Sequence, residues 1–70
     1  MAINRIKFYR MTARMSQVEL ARQIGKSVPA LSAFENGKAR PSLATLQRIS
    51  QVLGCSIDEL ASDFPLKAAQ

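Results

Sequence analysis

Residues 17–37 read QVELARQIGKSVPALSAFENG, and this stretch decides the fold. Leu20, Ala21 and Ile24 fall on one side of a helix that begins at Gln17, and Gly25 supplies the left-handed residue that ends it. Ser27 is a favoured N-cap residue, so a second helix runs from there to about Asn36. Leu31 and Phe34 turn inward, and Asn36-Gly37 closes it. Pro29 removes one N–H from that helix's first turn, where the donor has no intrahelical partner, so the Ser27 hydroxyl must cap Ala30. The connecting turn is only Gly25-Lys26-Ser27. So short a link forces the helices to cross steeply, and Ala21 is the small side chain that lets them approach.

Working outward, Ser16-Gln17-Val18-Glu19 reads as a capping box, with Ser16 and Glu19 each bonding the other's backbone N–H. A first helix near Ile3 to Ala13 places Ile6 and Tyr9 on one side. Downstream, Pro41-Ser42 restarts the chain, and Leu43, Leu46, Ile49 and Leu53 recur at helical spacing as far as Gly54. Ser56-Ile57-Asp58-Glu59 is a second capping box that opens a short fifth helix through Leu60 and Ala61, and Pro65 bars further helix. An extended pairing of residues 1–4 with 63–64 has no support in the pattern, and no strand alternation rises above noise. The expected class is all-α, a five-helix bundle over residues 1–64 with a helix-turn-helix at 17–36 and a tail at 65–70.

Composition narrows the function. Seventy residues, 47% of them apolar, make one globular domain near the lower size limit for a self-sufficient core. There is no His, and Cys55 is the single cysteine, so zinc sites, Ser-His or Cys-His catalytic sets and an internal disulfide are not expected. Ser16, Ser27 and Ser32 have cap or groove roles with no base to activate them, so no enzyme is expected either. Cys55 follows Gly54 in an apolar slot and reads as a small hydrophobe rather than a redox sensor. No apolar run approaches the roughly 18 residues of a membrane span, and residues 1–15 lack a signal-peptide core. The expectation is a cytoplasmic domain with no metal, cofactor or membrane partner. Residues 1–48 hold nine basic residues against two acids, a surplus of +7, whereas residues 49–70 hold one against three. The net +5 is therefore a basic working region and a mildly acidic end. Phe8, Tyr9, Phe34 and Phe64 do not form a base-stacking platform pattern, which argues against RNA.

Ser16-Gln17-x-Glu19-Leu20-Ala21, Gly25, Leu31-Ser32-x-Phe34-Glu35-Asn36-Gly37, Pro41-Ser42-Leu43-x-Thr45-Leu46 and Leu53-Gly54-Cys55-Ser56-x-Asp58-Glu59-Leu60 together resemble the lambda-repressor-like, Xre-type DNA-binding domains. The resemblance covers residues 3–62 and implies a transcriptional regulator that binds double-stranded DNA as a homodimer, with the second motif helix in the major groove.

It also implies roles for individual residues. Gln17, at the first turn of its helix, grips a phosphate. Asn36, Lys38 and Arg40, at and after the reading helix, contact backbone phosphate. Lys26 is a weaker phosphate candidate, because family members usually carry an apolar residue there and its stem has the competing role of covering the core. Arg10 and Glu35 form an ion pair joining the first helix to the end of the third, with Arg10 also near a phosphate. Family members often carry Gly where this chain has Arg14, so a left-handed turn there costs some strain.

By their position Ser27, Val28, Pro29, Ser32 and Ala33 face the groove floor. That face has no Arg, Gln or Asn of the kinds that read guanine or adenine in bidentate geometry. Base contact is therefore expected to be largely apolar and directed at thymine methyls, with DNA shape supplying the remaining specificity. Val28 and Pro29 have competing roles as core and cap residues. Paired domains on half-sites about 34 Å apart would need a seam. Ile57, Leu60 and Phe64 in the less basic third supply one, unless they only complete the monomer core. The competing function is that of an antitoxin or controller protein, which binds a protein partner such as a toxin and regulates its own operon.

Overall fold

The computed structural model describes residues 4–62 and Phe64, and an Asn or Ser opens each helix in it. The helices are α1 (Arg5–Thr12), α2 (Gln17–Ile24), α3 (Val28–Glu35), α4 (Leu43–Leu53) and α5 (Ile57–Ala61). Asn4 accepts from the N–H of Ile6 at 2.7 Å, and Ser16, Ser27, Ser42 and Ser56 accept from Glu19, Ala30, Thr45 and Glu59 at 3.0 to 3.2 Å. Ser27 thus caps the residue after Pro29, as the missing proline N–H requires. The expected tail at 65–70 lies outside the described residues, as do residues 1–3 and 63 of the extended pairing between 1–4 and 63–64. No strand occurs among the described residues.

Two local expectations need correction. α1 begins at Arg5 rather than Ile3, because Asn4 caps it and also donates through Nδ2 to the Phe34 carbonyl at 3.2 Å, fixing the start of α1 to the end of α3. Of the two capping boxes, only Ser56–Glu59 closes in both directions, the return bond being 3.4 Å. The Tyr9 hydroxyl donates to the Glu59 carboxylate at 2.7 Å and holds it there, whereas exposed Glu19 has no such clamp, and only the Ser16 half of its box forms.

Ile6, Leu20, Ile24, Leu31, Ile49 and Leu60 are fully enclosed, and Ala21, Phe34, Leu46 and Phe64 complete the core. α2 packs between α3 and α4, while α1 closes across α3, α4 and α5. Each fully buried aliphatic side chain contributes about 1.5–3 kcal/mol, so this interior is what orders helices too short to persist alone. Leu43 departs from its helical spacing with Leu46: it is the first residue of α4, lies a turn beyond the core, and is 63% exposed.

The chain leaves α1 through Arg14, whose φ is +58°. Arg14 and Met15 donate backbone hydrogen bonds to the carbonyls of Met11 and Arg10 at 3.0 and 3.1 Å. Gly25 and Lys26 make the equivalent pair at the end of α2, to Arg22 and Ala21. Arg14 therefore occupies a position whose left-handed geometry favours glycine. Among the described residues no helix is long and apolar enough to cross a membrane.

Candidate nucleic-acid interface

The motif is locked from within. Ala21, 2% exposed, is enclosed on the inner side of α2, which packs on α3 and α4, and Gly25 turns the chain at φ +71°. Leu31, Phe34 and Glu35 anchor the inner side of α3. Glu35 is the buried charge of this arrangement. Its Oε2 takes Arg10 Nε at 2.6 Å, and its Oε1 takes Arg10 Nη2 at 3.3 Å and Gln17 Nε2 at 2.9 Å. The remaining Arg10 nitrogen donates to the Met15 carbonyl at 2.8 Å. One carboxylate thus joins α1, the start of α2 and the end of α3, and the expected Arg10–Glu35 pair is present.

Gln17 is therefore half-buried, with one amide hydrogen committed to Glu35. Any phosphate contact falls to the second hydrogen and to the free N–H groups of the α2 start. Arg10 likewise has each guanidinium nitrogen bonded within the protein, and its side chain is 12% exposed. The Arg10–Glu35 pair is the one the resemblance implies, whereas the Gln17–Glu35 bond joins residues 18 positions apart and has no local signal in the sequence.

On the outer side of α3, Ser27 and Pro29 are exposed and Ser32 and Ala33 half-buried. Asn36, at the C-cap, is exposed and donates to Ser32 Oγ at 3.3 Å, leaving the Ser32 hydroxyl proton free to point outward. Val28 is half-buried and packs against the core, so its side chain is shared between the interior and the outer side. Lys26, in the turn, and Lys38 and Arg40, in the loop after α3, are exposed at the two ends of the helix. The structure adds Arg48 on α4, which the sequence reading left without a role. Its Nη1 would lie 3.6 Å from a β-carbon on Gly25, which sets a further cation against the turn.

The seam expected from Ile57, Leu60 and Phe64 is largely consumed by the protomer. Leu60, on the helix that packs against α1 and α4, is fully enclosed, and Phe64 is a core residue 7% exposed; of the three only Ile57 is half-buried at the surface. Cys55 also packs against the core, and burial followed by the nearby Glu59 charge pushes its thiol pKa up, away from the reactive thiolate.

Two capped helices at a three-residue turn, with small side chains outward on the second and cations at both its ends, define a helix-turn-helix DNA-binding domain. The chain belongs to the lambda-repressor-like helix-turn-helix family, whose model, described as Helix-turn-helix, matches residues 6–60. It is 33% identical over 57 residues to an uncharacterized HTH-type transcriptional regulator of Methanocaldococcus jannaschii, covering 81% of this chain and 86% of that one. It is 43% identical over 50 residues to the control protein C.MunI of a Mycoplasma species, covering 71% and 68%. Against antitoxin HigA1 of Mycobacterium tuberculosis it is 41% identical over 44 residues, 63% of this chain. The chain spans about a third of the length of its longer relatives, 30% in the antitoxin. No solved structure gives a significant match.

Proposed function

We propose that this protein is a cytoplasmic transcriptional repressor, without catalytic activity, that binds a palindromic operator as a homodimer with α3 in the major groove. The observation that carries this reading is the outer side of α3: small side chains lie between exposed Lys26 at one end and exposed Lys38 and Arg40 at the other. In the complex the cations and Gln17 hold phosphates, with Arg10 behind them, while Ser27, Pro29, Ser32 and Ala33 meet base edges and thymine methyls. Val28 adds its outer methyl, and Asn36 closes the helix beside the backbone.

Selection of bound sequences from random duplex DNA at two salt concentrations tests this. The expected result is an enriched palindrome whose affinity falls with log salt at a slope of about −0.9 per phosphate contacted. No enriched sequence and a flat salt dependence would overturn it. On the selected operator, uracil in place of the contacted thymines removes only methyl groups and should weaken binding; unchanged affinity would refute apolar thymine reading. A second reading, in which a protein partner is the principal ligand, draws on the likeness to antitoxin HigA1. Co-expression with the products of neighbouring genes separates the two: a stable complex that masks no DNA-binding activity leaves the repressor reading intact, while a complex formed by a protein with no selectable operator favours the second.

A further inference from the structure

Among the described residues four large apolar side chains are exposed, and two of them, Phe8 and Met11, stand one turn apart on α1, each 52% exposed. The opposite side of α1 is fully engaged: Ile6 is enclosed in the core, the Tyr9 hydroxyl donates to Glu59 on α5, and Arg10 pairs with Glu35 on α3. Phe8 is also held in place, its ring meeting that of Tyr9 edge to face, with centroids 5.4 Å apart and planes at 76°. Lys7 lies one turn before Met11, and exposed Arg14 follows the end of the helix; neither side chain forms an ion pair or hydrogen bond among the described residues. The chain carries no Asp or Glu before Glu19. The carboxylates that bond to α1 from other elements are already committed, since Glu35 is buried and Glu59 accepts from Tyr9 and Ser56.

We propose that this outer side of α1 is a docking surface for an acidic amphipathic helix of a protein partner. Two apolar side chains of the partner helix pack around Phe8 and Met11, and its flanking Asp or Glu side chains meet Lys7 and Arg14. Charge complementarity selects that occupant. A second copy of this chain would set the same cations against each other about a two-fold axis, with no acid on the patch to match them. Duplex DNA would satisfy the cations but give the two apolar side chains nothing to bury against. A lipid surface needs more apolar area than two half-exposed side chains offer, because α1 commits its other side to the core. An acidic helix meets both needs, and an anchored aromatic ring beside an adaptable methionine is the composition of an interface core. α1 meets α3 through Arg10 and Glu35, on the inner side of α3, so the patch lies behind the side proposed to face DNA. The inference stands apart from the readings above, since it needs a partner helix but neither an operator nor a toxin.

The probe is a displayed library of random helical peptides of about four turns, selected on the full chain, with the most enriched peptide then titrated by fluorescence anisotropy. Enriched sequences are expected to carry a surplus of Asp and Glu around two apolar residues one turn apart. Phe8→Ala and Met11→Ala should each weaken binding of the selected peptide about fivefold or more, and Lys7→Glu about tenfold or more. All three variants should keep their helical circular dichroism, because Phe8 and Met11 are exposed and an acid in the first turn of α1 suits the helix dipole. A peptide in which Lys replaces the facing acids should recover binding to Lys7→Glu. No enriched peptide, an enriched peptide without an acidic surplus, or an affinity unchanged by Phe8→Ala and Met11→Ala or by Lys7→Glu would overturn the proposal. Self-association of the wild type that is lost in Phe8→Ala, read by sedimentation, would give the patch to a second copy and do the same. A protein that selects no operator yet binds the peptide through Phe8 and Met11 supports the surface and overturns the repressor reading alone.

Discussion

Replacing Glu35 with alanine removes the charge around which the motif is assembled. The Glu35 side chain is 1% exposed, and three N–H groups converge on it, two from Arg10 and one from Gln17. In Glu35→Ala the Arg10 guanidinium, 12% exposed, keeps only the Met15 carbonyl, and the Gln17 amide loses its acceptor. Stranding one partner of a buried pair costs about 3–5 kcal/mol. A domain of this size has roughly 4–10 kcal/mol in total, so the variant stands near the edge of folding. Its melting temperature should fall by more than about 10 °C. Urea denaturation followed by circular dichroism measures the loss directly. The cause is separable from packing by a second protein, Arg10→Met with Glu35→Leu, which fills the same space and strands no charge. It should recover most of the lost stability. A loss below about 1 kcal/mol for Glu35→Ala would refute the reasoning, since it would mean that water reaches the pair. A double variant no more stable than Glu35→Ala would refute the stranded-charge account, placing the cost in the lost bonds to Gln17 and Met15.

Arg14→Gly tests the one non-glycine residue with positive φ among those described. Relief of left-handed strain, less the greater chain entropy of glycine, should raise stability by about 0.5–1 kcal/mol in the same urea assay, and no gain would mean the turn is unstrained. Tyr9→Phe tests the clasp between α1 and α5. The Tyr9 hydrogen bond, and then the Ser56 backbone N–H, hold the Glu59 carboxyl below its ordinary value, while donation to Glu59 followed by burial raises the Tyr9 phenol above its own. A lowered carboxyl stabilises above its unfolded pKa and loses that contribution as pH falls through the folded one. A raised phenol stabilises below its unfolded pKa and loses the contribution as pH rises through the folded one. The stability difference between wild type and Tyr9→Phe should therefore be largest across neutral pH. It should shrink below the carboxylate range and above the phenol range; a difference constant across all three would show that the two groups are uncoupled.

What the sequence made legible was local. Both ends of α2 fall where Ser16 and Gly25 put them, and Ser27 with Gly37 brackets α3, because caps and left-handed turns are decided within a few residues. The Asn4 start of α1 carries the same kind of signal, an N-cap residue before a helix. Burial was less legible, because it depends on neighbours from distant elements. Leu43 and Leu46 share a helical face, yet one is 63% exposed and the other 5%. Leu60 looked available for a partner and lies at the centre of the core. The bond from Gln17 to Glu35 belongs to the same class: each residue carries a separate role in the sequence pattern, and only the packing of α2 on α3 makes them one unit.

That unit bears on how a reading helix with so few hydrogen-bonding side chains can discriminate. Long side chains such as Arg and Gln reach for bases and tolerate small displacements of the helix that carries them. Pro29, Ala33 and the serine hydroxyls do not, so in the proposed complex the distance from α3 to the groove floor is fixed by backbone position. Small side chains let the helix approach closely, and methyl contacts and sequence-dependent DNA shape both report on that approach. The accuracy of reading then depends on what places α3: the Ala21 crossing, the turn at Gly25, and Glu35 holding the helix's far end to Arg10 and Gln17. Because Gln17 opens α2 and is proposed to grip a phosphate, the same carboxylate ties the register of the protein on the backbone to the position of α3. In the proposed complex, specificity is therefore carried as much by the buried polar network as by the residues that face DNA.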